Sequence, residues 1–149
     1  MRIDFYHLET TPLDKALPAI LEKIYSTGKH ALLRTDLQER VSYINSLLWT
    51  YDPSSFLPHG DEKDGFTDKQ PIFITSKRDF NPNQAQYLVL IDGEPVQEND
   101  SFERVFYFFN GLDEDALTKA RDQWKSLKSR GFELHYWQQT PAGRWEQKD

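Results

Sequence analysis

The stretch Ile3–Gly28, IDFYHLETTPLDKALPAILEKIYSTG, decides the fold. Ile3–Leu8 is a short apolar and aromatic run of the kind that enters a sheet, and Thr10-Thr11-Pro12 sets a hydroxyl cap ahead of a proline suited to a first helical turn. Asp14, three residues after Thr11, makes a variant of the capping box. Leu13, Leu17, Ile20, Leu21 and Ile24 then recur at the spacing of one helix face, and Gly28 stands where a left-handed C-terminal cap belongs. His30–Leu33 reads as a second strand, parallel to the first because a helix intervenes. Asp36 opens a second helix with the apolar stripe Leu37, Val41, Ile44 and Leu48. Strand, helix, strand, helix is the opening of an α/β sheet.

Further along, Pro71–Thr75 and Tyr87–Asp92 read as strands, the second ending at the turn dipeptide Asp92-Gly93. Ser101–Phe109, SFERVFYFF, is the most strand-like run and is expected at the buried centre of the sheet. Asn110-Gly111 breaks it. Asp113–Arg130 is a long helix with acids in its first turn and bases in its last; Gly131 caps it and Phe132–Trp137 returns as a final strand. The expected fold is one α/β domain over residues 1–149: three layers, with an open, mostly parallel (mixed) sheet and helices on both faces, related to nucleotide-binding, Rossmann-like folds. Residues 60–70, GDEKDGFTDKQ, read as a solvated flexible loop and 141–149 as a polar C-terminal tail.

Leu47–Gly60, LLWTYDPSSFLPHG, leaves the second helix and enters a turn signalled by Asp52-Pro53-Ser54-Ser55, yet carries Trp49, Tyr51, Phe56 and Leu57. Large apolar side chains on a loop either fold back onto the core or form a surface that another protein covers. Leu47 and Leu48 are given to the core, and Pro53 and Pro58 stiffen the loop backbone.

Bulk properties remove several classes of function. The chain has 18 basic and 24 acidic residues among 149, a net charge of -6, so its overall field repels nucleic-acid phosphates. It has no cysteine, hence no disulfide, no thiolate zinc site and no cysteine nucleophile. No run approaches the ~20 apolar residues of a membrane span, and a cytoplasmic location is expected. His7, His30, His59 and His135 are scattered without metal-ligand spacing. No GxGxxG, P-loop or GxSxG pattern follows a strand; Glu9-Thr10-Thr11-Pro12 stands where a phosphate-binding turn would be. No catalytic, cofactor-binding or metal-binding residue is therefore assigned. The competing expectation is a nucleotide-dependent enzyme that uses the crevice of the sheet with unfamiliar residues.

The last helix is more informative. At about 100° per residue, Ala116, Ala120, Trp124 and Leu127 share the side facing the sheet, with Leu117 at its edge. Arg121, Lys125 and Lys128 form a strip beside Trp124. Cations bordering an apolar, aromatic crevice suit an acidic peptide that ends in hydrophobic residues and a carboxylate; a plain solvated helix face is the alternative.

Phe5-Tyr6-His7-Leu8, Leu48-Trp49 followed by Ser55-Phe56-Leu57-Pro58-His59-Gly60, Pro71-Ile72, Phe102 with Arg104-Val105, Ala120-Arg121 with Trp124-Lys125, and Gly131-Phe132 occur in the order of one family. Together they resemble the chi subunit of bacterial DNA polymerase III holoenzyme. The resemblance runs from residue 5 to residue 137. It implies a replication accessory subunit with no catalysis and no cofactor of its own. It would pair with the psi subunit of the clamp loader and bind the acidic C-terminal tail of single-stranded DNA-binding protein, as a monomer or in a heterodimer, without direct nucleic-acid or membrane contact. By match of motif, Trp49, Phe56 and Leu57 fall at the psi surface, and Arg121, Trp124 and Lys125 fall where the tail is received. The family's tyrosine is replaced by Trp124, and a basic contact one turn before Arg121 is replaced by Leu117, with Lys128 as its substitute.

Overall fold

The computed structural model describes residues 1–52 and 54–148. Pro53, read above as a stiffener of its loop, lies outside them, as does Asp149. Among the described residues seven strands form one sheet: β1 Arg2–Leu8, β2 Ala31–Arg34, β3 Ile72–Thr75, β4 Tyr87–Leu90, β5 Arg104–Asn110, β6 Glu133–Gln139 and β7 Trp145–Gln147. Their order is β3-β2-β4-β5-β1-β6-β7. All neighbouring pairs are parallel except β6 and β7. The expected α/β architecture, a mostly parallel mixed sheet, is the observed one.

Helices α1 Leu13–Ser26, α2 Gln38–Thr50 and α3 Glu114–Ser129 cover the sheet from both sides. Successive strand residues point to opposite faces, and two cores result. Tyr6, Leu8, Phe106 and Phe108 pack with Leu17, Leu21 and Ile24 of α1 and Val41, Ile44 and Leu48 of α2. Ile3, Phe5, Val105, Tyr107 and Phe109 pack with Ala120 and Leu127 of α3. β5 is the middle strand and is apolar on both faces, which is why its sequence reads as an unbroken hydrophobic run.

Several local expectations give way to longer-range contacts. The N-cap of α1 is Pro12, with no side-chain cap; Thr11 instead presents its amide to Gln139 of β6. α2 begins at Gln38 rather than Asp36, and Leu37, expected on the apolar stripe, is an extended N-cap residue 52% exposed. The 60–70 segment holds a short 3-10 helix, Glu62–Asp64, capped reciprocally by Asp61 and Asp64, while Gly60 pairs with Phe73 at the edge of the sheet. The C-terminal tail contributes β7, which Trp145 anchors against Tyr6. The turn at Asp92-Gly93 forms as expected, with both residues at positive φ, 59° and 79°.

Several carboxylates held in or beside the core have cationic partners: Glu94, 3% exposed, lies 3.3 Å from Nε of Arg78 and 3.7 Å from Nε of Arg34. Asp4 is 0% exposed within β1. Asp100 receives both terminal nitrogens of the buried Arg34, at 2.9 and 2.7 Å, which ties the segment before β5 to the end of β2. Breaking such a pair strands a desolvated charge, the costly event in a core.

Candidate protein-binding surfaces

Trp49, in the last turn of α2, is 52% exposed, and Phe56 is 74% exposed. Their ring centroids lie 6.2 Å apart. Under Trp49 sits the ring of His59, 4.4 Å away and only 3% exposed. The carbonyl oxygens of Leu57 and Asn45 lie 2.6 Å from Nδ1 and 3.1 Å from Nε2 of His59, so the buried ring is wedged between the loop and α2. The indole thus rests on a fixed base and offers its remaining surface to solvent, the arrangement of an interface anchor. Leu57, expected beside Trp49 and Phe56, is corrected: it is 2% exposed in the α1 and α2 core. Chain alternation around Phe56 turns it inward. Leu48 is buried and Leu47 and Tyr51 are half-buried against the same core, Tyr51 through a hydroxyl bond to Glu22 of α1.

On the opposite face, α3 buries Ala120 and Leu127, while Ala116, Leu117 and Trp124 are half-buried. Trp124 meets Phe5 edge-on at 5.2 Å and Tyr136 at 5.7 Å, so part of its ring belongs to the core and part borders the strip. Arg121, Lys125 and Lys128 are exposed and form no ion pair among the described residues. Beside the strip, His7 Nδ1 and the Tyr136 hydroxyl are 2.5 Å apart. Burial pulls the His7 pKa down; Glu9 opposes this and Arg121 adds to it. Burial pushes Tyr136 up against the pull of Arg121. Arg121 therefore sits within electrostatic reach of both groups, at the end of the strip nearest β1.

A crevice of about 690 Å³ opens at the carboxyl ends of β1 and β5. The chain leaves β1 toward β2 and leaves β5 toward β6, so the crevice is the topological switch point where such sheets hold ligands. Its phosphate position is filled from within. The side-chain oxygen of Gln139, 5% exposed, accepts from the backbone amides of Glu9, Thr10 and Thr11 at 2.9, 2.9 and 3.0 Å. The first turn of α3 is closed by its own Asp113, which accepts from the amides of Asp115 and Ala116. Glu9, Asp92, Asp113 and Asp115 line the crevice, and Arg40 is held by Asp92 at 2.7 and 3.1 Å. No group of His, Asp and Glu among the described residues is arranged to hold a metal ion, and no helix there is long and apolar enough to cross a membrane.

Sequence reasoning missed Gln139 and Trp145. Gln138-Gln139 looks like any exposed strand end. Asp4 was a usable signal, because an acid inside an apolar strand demands cationic partners.

Comparison with known proteins identifies a family. Residues 1–135 match the family model described as DNA polymerase III chi subunit, HolC. A protein of Rickettsia prowazekii named "Probable DNA polymerase III subunit chi" is 38% identical over 91 residues, 60% of this chain and 54% of the relative, so the aligned stretch spans about half of that protein. The DNA polymerase III subunit chi of Haemophilus influenzae is 28% identical over 112 residues, covering 74% of this chain and 76% of the relative. The chain belongs to the family of DNA polymerase III chi subunits.

Proposed function

We propose that the chain is a non-catalytic accessory subunit in DNA replication that links a clamp loader, through a psi subunit, to the acidic C-terminal tail of single-stranded DNA-binding protein. Trp49 and Phe56 anchor the first partner, and Arg121, Lys125 and Lys128, with the exposed part of Trp124, receive the second. The observation that carries the reading is the Trp49–Phe56 pair: two large aromatics stay in solvent although His59 holds one of them rigidly. A pair so preorganised loses little conformational freedom when a partner covers it.

The test uses the whole protein. Phe56→Ala should lose the psi partner in a pull-down and keep affinity for a peptide of the acidic tail. Arg121→Ala with Lys125→Ala should do the reverse, with each lost charge-assisted contact costing roughly 1.5 to 3 kcal/mol in a titration at low salt. Unchanged tail affinity in the double variant would remove the second assignment.

The switch-point crevice favours a second reading, a nucleotide-dependent enzyme. Against it stand the occupied amides of Glu9, Thr10 and Thr11 and the acidic lining, which repels phosphate. Reproducible thermal stabilisation by micromolar nucleotide is the result that would revive it.

A further inference from the structure

On the α1 side, between the C-terminal half of that helix and the β6–β7 hairpin, lies a separate pocket of about 310 Å³. Phe106, Tyr6 and Trp137, from three adjacent strands, line it as a row of near-parallel rings, with centroids 5.9 and 6.3 Å apart and planes within 13° and 9°. Trp145 of β7 closes one side and meets Tyr6 edge-on at 5.1 Å and 83°. Both tryptophans lie past residue 135, outside the stretch matched by the family model. Neither is used by the two surfaces described above.

The pocket is also positive. Asp4, fully buried beneath it, accepts from Nε and Nη2 of Arg2 at 3.0 and 3.0 Å, Nε of Arg104 at 2.8 Å and Nε1 of Trp137 at 2.9 Å. One carboxylate is thus shared by two guanidiniums, of which Arg2 also feels Glu133 of β6 while Arg104 lines the pocket. Arg104 also donates to the Tyr6 hydroxyl at 3.1 Å and lies over the Phe106 ring at 4.4 Å. A guanidinium has five N–H groups, so Arg104 keeps donors uncommitted at the pocket wall. Lys23, in the last turn of α1, is a second lining cation and has no ion-pair partner among the described residues. No acidic side chain lines the pocket, in a chain whose net charge is -6.

We propose that this pocket binds a small planar aromatic anion, with its ring against Tyr6, Phe106 and the two tryptophans and its acid group between Lys23 and Arg104. The volume lies at the low end of the range of about 300 to 1,000 Å³ for ligand pockets, which suits one or two fused rings rather than a peptide. Aromatic walls take a ring by stacking or edge contact, and two cations in a partly desolvated site take a carboxylate through charge-assisted hydrogen bonds.

The experiment is an NMR titration of the full chain with indole-3-acetate, read at the tryptophan indole N–H signals assigned by single Trp→Phe variants. Saturable shifts are expected at Trp137 and Trp145 and none at Trp49. The neutral amide, indole-3-acetamide, should bind at least about fivefold more weakly, and Lys23→Ala should weaken the acid about tenfold, because each removes a charge-assisted contact. Lys23 is exposed and outside both cores, so its loss leaves the fold intact. Absence of saturable shifts, equal binding of acid and amide, or unchanged affinity in Lys23→Ala overturns the proposal.

Discussion

An added Cβ at Gly111 would lie 1.8 Å from His7 Nε2. Nothing larger than glycine fits there while His7 keeps its place between Phe109 and Tyr136. Gly111→Ala should therefore destabilise the protein by about 1 to 3 kcal/mol in urea unfolding, the range for overpacking. His7→Ala in the same chain should recover part of the loss by removing the ring; a double variant no more stable than Gly111→Ala would refute close packing as the cause. His7 also carries a pH dependence. Burial holds its folded pKa below the ordinary 6.5, so the unfolded chain binds the proton more readily. The stabilisation is complete above about pH 6.5 and is lost as pH falls through the lower folded value. Wild type should lose more stability on acidification below that point than His7→Asn, measured as the shift in urea midpoint. The glycine's role as a strand breaker was legible in Asn110-Gly111. Its packing role was not, because the colliding ring belongs to another strand.

The turn between β1 and α1 is the element on which sequence and structure differ most instructively. Helical periodicity placed α1 correctly, since it depends on neighbours in the chain. The hydroxyl cap does not form: Pro12 is the N-cap residue and its carbonyl accepts from the amides of Lys15 and Ala16, while ahead of the helix one Gln139 oxygen collects the amides of Glu9, Thr10 and Thr11. Gln139→Leu should leave those amides without a protein partner, cost about 1 to 3 kcal/mol and speed hydrogen exchange at Thr10 and Thr11. Gln139→Glu should retain most of the stability, because a carboxylate accepts the same three bonds. Equal losses in the two variants would mean that side-chain packing, not the acceptor, matters. β7 escaped the sequence reading for a similar reason. Three residues with one aromatic carry no period of their own, and pairing with β6 alone makes them a strand.

Across the molecule, α2 with its Trp49–Phe56 patch and α3 with its basic strip lie on opposite faces of the sheet. Sites that share no partners act independently, so the double variant of Phe56→Ala with Arg121→Ala should bind a peptide of the acidic tail as Arg121→Ala alone does, within about 0.5 kcal/mol. Their salt responses should differ as well. The proposed tail binding through exposed cations should weaken steeply between about 0.05 and 0.5 M salt, whereas the proposed binding at the aromatic pair should change little. Parallel salt dependence at the two patches would contradict this division. Apart from β7, the order of strands and helices along the chain, the central place of Ser101–Phe109, the apolar face of α3 and the basic strip beside it were readable from the chain alone. Each rests on composition or periodicity among residues close in sequence. Tertiary structure alone decided that Leu57 goes inward while Phe56 stays out, that His59 lies beneath Trp49, that Gln139 fills the turn after β1, and that Trp137 and Trp145 wall a cationic pocket. Those outcomes depend on which distant segments meet, and local pattern carries no information about such meetings.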